Sequence, residues 1–304
     1  MDINLTIIIP HKNSIELLKR CVSSIPDNDD IQVIVVDDYS SASIQTIRDA
    51  IGGQRHNVSC ISNDGHPYAG GARNCGLRYA KGKWILFSDA DDFFVDDAFK
   101  IISSHFNDSV EIVYFLSERR YSDTLEVFDS SCLGLNNLVR SYNGSELTEN
   151  KLKYGVCVPW GRMFRRSLIE ENNIIFDETR YANDTMFSTR TAFFSKSIAT
   201  DINVIYCFTA NKGSLTHTLT KESIECRYIV SIKRNLFLES IGLKDLKTEV
   251  VHHIYHSLKF GLRFTFSLLR KGMHYKINPF DGFFKWIIEH YKNSSLRDNI
   301  KDKE

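Results

Sequence analysis

The sequence of 304 residues has no long apolar run and few prolines. No stretch of about 18 apolar residues occurs, so we expect no segment that spans a bilayer by itself. Only five prolines are present, and the proportions of hydrophobic (42%) and charged (25%) residues are those of an ordinary globular protein. The first residues show no basic leader, so we expect no signal peptide and a cytoplasmic location.

The cysteines form no recognisable pattern. Seven cysteines lie far apart along the chain, and no CxxC pair occurs. A disulfide framework favours an even number of cysteines, and zinc sites favour closely spaced pairs. We therefore expect reduced thiols and no zinc site.

The net charge is zero, but the charges are unevenly distributed. Residues 1–220 contain 22 Lys+Arg and 28 Asp+Glu, whereas residues 221–304 contain 16 and 10. This asymmetry predicts two regions with different partners, and the chain is long enough for one large domain with an appendage. Because the first region is acidic and no binding motif occurs, we expect no nucleic-acid partner.

Apolar runs and helical patterns alternate four times in the first ninety residues. The runs lie at Leu5–Pro10, Ile31–Ser40, Asn57–Ser62 and Lys83–Asp92. This alternation predicts a parallel, doubly wound α/β sheet. Polar residues lie at or directly after the ends of three of the four runs, and such sheets bind ligands at the carboxyl ends of their strands. The sequence therefore predicts a ligand site at that edge of the sheet.

The densest group of acids lies at the end of the fourth run. Asp89 and Asp91 are two residues apart, so on an extended chain both side chains would point to the same side. A divalent cation between them would relieve their repulsion, and carboxylate oxygens suit Mg²⁺ or Mn²⁺. Because Mg²⁺ usually keeps phosphate oxygens in its shell, this pair predicts a phosphorylated ligand. The alternative is an acidic turn that caps the next helix.

Two more elements are candidates for nucleotide binding. Asp37 and Asp38 could accept hydrogen bonds from a base or a ribose hydroxyl, although Asp-Asp-Tyr-Ser is also favourable turn chemistry. Gly70 and Gly71 begin a predicted helix, and glycines there let a phosphate approach the backbone. Arg73 could then contact phosphate oxygens. The alternative is a plain helix start with a surface arginine.

Four segments in this order resemble a known family. They are LTIIIPHKNSIELLKRCVSSI, IQVIVVDDYSS, GGARNCGLRYAKGKWILFSDADDFF, and PWGRMFRRSLIEENNIIFDE followed by YANDTMF. Together they resemble the family 2 glycosyltransferases of the GT-A fold, of the bacterial kind that builds O-antigen or capsular polysaccharide. The resemblance covers roughly residues 3–220.

The resemblance implies a fold class and a domain organisation. We expect an α/β GT-A domain over residues 1–220, which is a Rossmann-like, mostly parallel sheet with flanking helices. Its nucleotide-sugar-binding half would cover about residues 1–92 and its acceptor half about 93–220. A helical C-terminal segment would occupy residues 221–304.

The resemblance also implies roles for particular residues. The nucleotide-sugar pocket would be framed by Pro10, His11, Asn13, Asp37 and Asp38, to which we add Arg73, Asp89 and Ala90. Asp91, with Asp89 and His217, would hold Mn²⁺ or Mg²⁺. Asp184 would be the catalytic base, and Trp160 could stack on the acceptor sugar.

This sequence departs from the family pattern at two positions. The usual Glu-Asp pair reads Asn183-Asp184, and Lys12 stands where an aromatic residue is more usual. Plainer roles are also open for three of the predicted site residues. Asp184 could be the N-cap of its helix, Trp160 a core residue and His217 a loop histidine.

These expectations describe an inverting, metal-dependent glycosyltransferase. The metal would offset charge on the leaving diphosphate, and Asp184 would accept the proton of the acceptor hydroxyl. We expect a UDP-sugar donor and a glycan acceptor, possibly linked to undecaprenyl diphosphate, in O-antigen or capsule synthesis. The alternative is a nucleotide-sugar-binding protein of the same fold without turnover. A nucleotidyltransferase is disfavoured, because the residues after Pro10 lack a glycine-rich loop.

The C-terminal segment is basic and amphipathic. Val251–Lys292 contains seven Lys+Arg and two Asp+Glu, and one helical face would carry Leu258, Leu262, Phe266 and Leu269. A basic amphipathic helix can lie on an anionic membrane. The segment therefore predicts either peripheral contact at the inner face of the cytoplasmic membrane or packing against the catalytic domain or another subunit of a homo-oligomer. We expect three nearby histidines, His252, His253 and His256, on the surface.

Overall fold

The computed structural model describes residues 2–52, 55–127, 134–210, 219–275 and 278. The chain forms two compact units, Met1–Ser214 and Leu215–Glu304.

The first unit alternates strands and helices along the chain. Its described elements are β1 (Leu5–His11), α1 (Ile15–Ser23), β2 (Ile31–Asp37), α2 (Ile44–Ala50), β3 (Val58–Ser62), α3 (Ala69–Leu77), β4 (Trp84–Phe87), β5 (Phe93–Phe94), α4 (Ala98–Ser104), β6 (Ile112–Tyr121), α5 (Gly134–Ser141), α6 (Glu146–Gly155), β7 (Arg162–Arg165), α7 (Arg166–Glu171), α8 (Thr185–Phe194) and β8 (Ile198–Ala210).

The described strands form one mixed sheet of eight strands in the order β3-β2-β1-β4-β7-β6-β8-β5. The first four strands are parallel, since β1 pairs with β2 and β4, and β2 with β3. Antiparallel β7 lies between β4 and β6, and β8 runs parallel to β6. The predicted α/β class is therefore confirmed, and the carboxyl ends of β1, β2 and β4 lie side by side.

The core lies along the central strands. Leu5–Ile9 of β1 and Val33–Asp37 of β2 are buried at every position, as expected for strands covered on both faces. The sequence from about Glu111 to Phe128 predicts strands of alternating character, but Ile112–Ser117 of β6 are six consecutive buried residues. Since successive side chains of a strand point to opposite faces, both faces of β6 are covered.

The start of α3 is packed tightly against the segment that precedes α8. A Cβ atom added at Gly70 would collide with the carbonyl oxygen of Asp177 and approach Asn183. Any residue other than glycine would therefore push these segments apart. This close packing places the start of α3 next to the residues that precede α8.

The second unit is helical throughout its described part. It contains α9 (Lys221–Ser240), α10 (Val251–Ser257) and α11 (Leu262–His274), with short 3₁₀ turns at Lys244–Leu246 and Leu258–Phe260. Thr220 and Ser223 cap α9 reciprocally, at 2.9 and 3.0 Å between backbone nitrogen and hydroxyl oxygen. A small core unites the helices through Ile224, Tyr228, Ile232, Val250, Ile254 and Leu268. Over the described ranges, no helix is both long and apolar enough to cross a membrane.

One of the three histidines predicted on the surface is buried. His253 is 6% exposed, and its Nε2 lies 3.3 Å from the Ser231 hydroxyl. Its ring lies 3.8 Å from that of His252, which is half-buried. The expectation was wrong because the helix turns this side chain toward α9.

Candidate active site

The carboxyl ends of β1 and β2 bring His11 and Asp37 together as register partners. His11 is 1% exposed, and neither ring nitrogen has a hydrogen-bond partner among the described residues. Burial lowers the pKa of His11, while the nearby Asp37 carboxylate opposes the shift. His11 is therefore a neutral imidazole at pH 7, buried directly under the edge of the sheet, next to Pro10.

Asn13 joins the loops that follow β1 and β2. Its backbone N–H donates to the Ser40 hydroxyl at 2.9 Å, and its side-chain oxygen accepts from the Ser41 N–H at 2.9 Å. Its φ of 54° is in the left-handed region that asparagine tolerates better than most residues. A groove of about 390 Å³ lies between the two loops and is lined by Asn13, Ser40 and Ser41 among others.

The acid pair after β2 is held by the surrounding backbone. The two oxygens of Asp38 accept from the Tyr68 N–H at 3.0 and 3.1 Å, and one also accepts from Asn63 at 3.0 Å. Asp37 accepts from the Ser40 N–H at 3.2 Å. Asp38 thus fixes the residue before α3, and its role in nucleotide binding stays a prediction.

Arg73 on α3 connects two parts of the site. Its Nη2 donates to the Asp89 carboxylate at 2.5 Å, and its Nη1 donates to the side-chain oxygen of Asn183 at 2.9 Å. The side chain is 4% exposed and lies over the ring of Phe176, 5.3 Å from its centroid. The alternative of a surface arginine is therefore wrong. We call residues Ser88–Asp92, which follow β4, the acid loop. Arg73 links this loop to Asn183, the residue that precedes Asp184.

The acid loop is anchored by β8, which the sequence did not indicate. Asp92 is 1% exposed and accepts from the Tyr206 hydroxyl at 2.7 Å and from the Thr209 N–H at 2.8 Å. The Tyr206 oxygen also accepts from the Asp89 N–H at 3.0 Å. Burial, together with the charges of Asp91 and Asp89, raises the pKa of Asp92 well above its usual range. Asp92, for which the sequence predicted no role, thus holds the acid loop in place.

Arg20 of α1 holds the same loop from the other side. It donates to the backbone oxygen of Asp91 at 2.5 Å and to that of Ser122 at 2.9 Å. Its guanidinium also lies 5.3 Å from the centroid of the Phe93 ring. No sequence motif marked this arginine, because its partners are backbone atoms far along the chain.

Asp184 occupies the N-cap position of α8, but its side chain makes no capping hydrogen bond. The alternative of a simple N-cap is therefore not supported. Burial raises the pKa of this carboxyl, the charges of Arg73 and Arg162 lower it, and Asp89 raises it further. Arg162, which the sequence did not single out, is fully buried and donates to the Ser188 hydroxyl at 2.7 Å. Asp184 is thus a half-buried carboxyl whose pKa is raised by burial and lowered by the charges of Arg73 and Arg162.

The remaining predicted site residues are placed differently. Trp160 is 8% exposed and stacks on the rings of Tyr206 and Phe208, with centroids 5.4 and 5.5 Å away. Its burial favours a packing role, and its contact with an acceptor sugar stays a prediction. Ala90 is buried within the acid loop. His217 lies outside the described residues.

The acid loop offers two half-buried carboxylates and not a full set of protein ligands for a metal ion. In the part of the chain that the structure describes, no group of three or more His, Cys, Asp and Glu side chains could hold an ion. Asp89 and Asp91 are both half-buried, and Asp89 already contacts Arg73. Two carboxylates suit a cation whose other ligands are water and phosphate oxygens.

Comparison with known proteins finds bacterial polysaccharide enzymes and related folds. The chain is 24% identical to the succinoglycan biosynthesis protein ExoO of Rhizobium meliloti over 262 residues, which are 82% of this chain and 72% of that protein. The crystal structure of a fragment of S. aureus TarS in complex with UDP-GlcNAc aligns with a TM-score of 0.60 at 20% identity, covering 93% of this chain and 78% of that one. A mannosyltransferase from Pyrobaculum calidifontis, in complex with GDP-Man and Mn²⁺, aligns with a TM-score of 0.58 at 16% identity, covering 94% and 79%.

Some curated relatives are much longer than this chain, which spans 36% and 32% of the lengths of two of them. The structural alignments agree with a GT-A-like fold. The model of the family described as "Glycosyl transferase family 2" matches residues 6–172, which is more than half of the 304 residues. The chain therefore belongs to glycosyl transferase family 2.

Proposed function

We propose that this protein transfers a sugar from a UDP-sugar to a hydroxyl of a glycan acceptor, with inversion at the anomeric carbon. The observation that carries this proposal is the position of Arg73, which contacts both Asp89 and Asn183. Arg73 thereby links the acid loop to Asn183, the residue that precedes Asp184. A donor phosphate at the acid loop and an acceptor hydroxyl at Asp184 would meet across this link.

The donor site would lie at the carboxyl ends of β1, β2 and β4. His11, Asn13 and Asp37 supply polar groups there, next to the groove between the loops. The TarS complex with UDP-GlcNAc supports a nucleotide-sugar ligand for a fold of this kind. We propose that about residues 1–92 form the half that binds the nucleotide sugar and that about residues 93–220 form the half that binds the acceptor.

Asp91 and Asp89 would hold Mn²⁺ or Mg²⁺, and His217 is the third proposed ligand. When bound, the ion would offset the negative charge of the diphosphate leaving group. The contacts of the loop with Arg20 and Tyr206 hold the backbone of Asp91 and Asp89 before any ligand arrives. This preorganisation means that little of the binding free energy is lost in ordering the loop.

Asp184 would accept the proton of the attacking hydroxyl on its carboxylate. The acceptor oxygen forms a bond to the anomeric carbon from one face while the bond to the diphosphate oxygen breaks on the other, so the configuration inverts. Arg73 and Arg162 favour the ionised form that a base requires, against the effect of burial. No second carboxylate nucleophile is needed for this single displacement.

The acceptor would be a growing cell-surface glycan, such as O-antigen or capsule, carried on undecaprenyl diphosphate. The resemblance of residues 3–220 to bacterial O-antigen and capsule enzymes supports this choice, as does the similarity to ExoO.

A thermal-shift panel of nucleotide sugars, with and without Mn²⁺, tests the proposed donor and metal. A ligand that binds only the folded protein raises Tm by mass action. We expect a UDP-sugar to raise Tm more with Mn²⁺ than without it, and Asp91→Asn to abolish the Mn²⁺-dependent part. Asp96→Asn, which changes an exposed acid a few residues away, is the matched control. A panel in which no UDP-sugar shifts Tm in Mn²⁺ would refute the proposed donor.

A further inference from the structure

The second unit exposes large apolar side chains along α11. Leu262 and Phe266 are each 65% exposed and Met273 is 61% exposed, and Leu258 in the preceding turn is 49% exposed. Positions i, i+4 and i+11 of a helix lie within about 40° of one another, because each residue advances by about 100°. We call these four residues the exposed stripe.

The exposed stripe is not the face with which α11 packs into its own unit. That face carries Thr265, Leu268 and Gly272, which are buried. Leu268 belongs to the small core of the unit, and the Thr265 hydroxyl lies 2.9 Å from that of Ser257. The helix therefore already has its intramolecular partners on a different face, about 110° around the helix from the stripe. A contiguous apolar row at this exposure is unusual for a surface that meets only water.

The surroundings of the exposed stripe are positively charged. Residues 258–275 contain four Lys and Arg and no Asp or Glu. Lys271 pairs with Glu225 of α9, whereas Lys259, Arg263 and Arg270 are exposed. Arg263 and Arg270 are seven residues apart, so they form a second row beside the stripe. The surface thus combines an apolar row with a cationic row.

We propose that this surface docks on the anionic face of a lipid bilayer, with α11 lying in the plane of the interface. The apolar row would enter the boundary between headgroups and acyl chains, and the cationic row would contact lipid phosphates. The 13 residues of α11 are too few to span the bilayer, for which about 20 are needed. The row of positive charges selects an anionic lipid surface over a neutral one. This inference does not depend on the proposed activity.

Vesicle flotation of the full-length protein tests the docking surface. The protein should float with vesicles of phosphatidylcholine mixed with phosphatidylglycerol, and not with phosphatidylcholine alone. The pair Arg263→Gln and Arg270→Gln should lower the partition coefficient about fivefold for each arginine, so about 25-fold together. The pair Leu262→Ser and Phe266→Ser should also reduce flotation, with an unchanged Tm because both side chains are exposed.

Matched controls come from the first unit. Ile202→Ser removes a side chain that is 70% exposed, and Lys100→Gln with Lys151→Gln removes two exposed cations. Both controls should float like the wild type. The proposal is overturned if the wild type does not float with anionic vesicles, or if the arginine pair floats unchanged. It is also overturned if Leu262→Ser with Phe266→Ser lowers Tm or changes the mass in solution, because the stripe would then be covered by the chain itself or by a second copy.

Discussion

Arg73 makes two directed contacts with one guanidinium group. One side of its planar fork reaches Asp89 and the other reaches Asn183, 110 residues further along the chain. A lysine would keep the positive charge but not the two donors at fixed angles. Arg73 therefore supplies a positive charge that lowers the pKa of Asp184. It also links the acid loop to the segment before α8.

Arg73→Lys should lower kcat/KM by about 10- to 100-fold, the loss expected for one hydrogen bond to a buried charged network. UDP release at limiting donor measures this effect. Arg78→Lys is the matched control, because Arg78 lies just after the same helix and pairs with Asp64 at an exposed site. Exposed pairs contribute little, so its kcat/KM should stay within about twofold of the wild type. An Arg73→Lys enzyme as active as the control would contradict the role assigned to the fork.

Tyr206 shows how a residue without a motif can position a site. Its hydroxyl donates to Asp92 and accepts from the Asp89 N–H. Tyr206→Phe removes one of the two donors to the buried Asp92, which keeps the bond from the Thr209 N–H, and removes the acceptor of the partly buried Asp89 N–H. We therefore expect a loss of stability of about 1 to 3 kcal/mol and a higher KM for the sugar donor. Thermal unfolding and donor titration measure the two effects.

The control for Tyr206→Phe is Tyr228→Phe. Tyr228 is buried, but no described residue is a hydrogen-bond partner of its hydroxyl, so the same change should have little effect on stability. If both variants behave alike, the hydrogen bonds of Tyr206 do not hold the acid loop.

At the scale of elements, the first four strands and the strand region that contains β6 were predictable, whereas β7 was not. β1, β2 and β4 are mainly apolar runs followed by polar residues, which is the pattern of buried parallel strands. β7 reads Arg-Met-Phe-Arg and is a strand because it pairs with both β4 and β6, which no local pattern reveals. The sequence has helical spacing from Tyr181 to Ser195, but α8 begins only at Thr185, since the preceding residues form the segment packed on Gly70.

Helix α10 contains a buried histidine, His253, that faces α9 and should make the free energy of unfolding depend on pH. Burial, with the positive charge of Arg227 and the neighbouring histidines, lowers the pKa of His253 to about 2. In the unfolded chain the pKa is about 6.5. Below that value the unfolded state binds a proton that the folded state does not. The free energy of unfolding should therefore fall as the pH drops below about 6.5, by up to about 1.4 kcal/mol per pH unit from this group.

Urea unfolding followed by far-ultraviolet circular dichroism between pH 7 and pH 5 measures this slope. His253→Gln should reduce the slope, whatever constant change in stability the substitution brings. His274→Gln alters an exposed histidine at the end of α11 and should leave the slope unchanged. Equal slopes for the wild type and His253→Gln would show that the buried imidazole does not control the acid sensitivity.

For the whole molecule, the sequence indicated several residues of the candidate site. It did not indicate which contacts these residues make with one another. Asp89, Asp91 and Asp184 were singled out by motif, and the structure places Arg73 between Asp89 and the neighbour of Asp184. The contacts of Asp92 with β8 depend on where a distant strand joins the sheet. Contacts of this kind follow from the packed fold rather than from local spacing.

The proposed sugar transfer and the proposed lipid contact are assigned to different units. The first carries the described residues proposed for donor, metal and base, and the second carries the surface proposed to meet lipid and also His217, the third proposed metal ligand. An acceptor anchored in a bilayer would be reached most readily by an enzyme held at that bilayer. The activity of the first unit and the lipid contact of the second can nevertheless be tested separately, because their key residues lie in different units.

The most direct test of the account measures UDP-sugar binding and UDP release for Asp184→Asn beside the wild type. The asparagine keeps the shape of the side chain but cannot accept the proton. The account predicts donor affinity within about threefold of the wild type and UDP release slower by about 100- to 10,000-fold. Glu178→Gln, an exposed acid of the same segment, should keep both values. Undiminished UDP release by Asp184→Asn would contradict the assignment of Asp184 as the base, and a wild type that binds UDP-sugars without any turnover would contradict the proposed transfer.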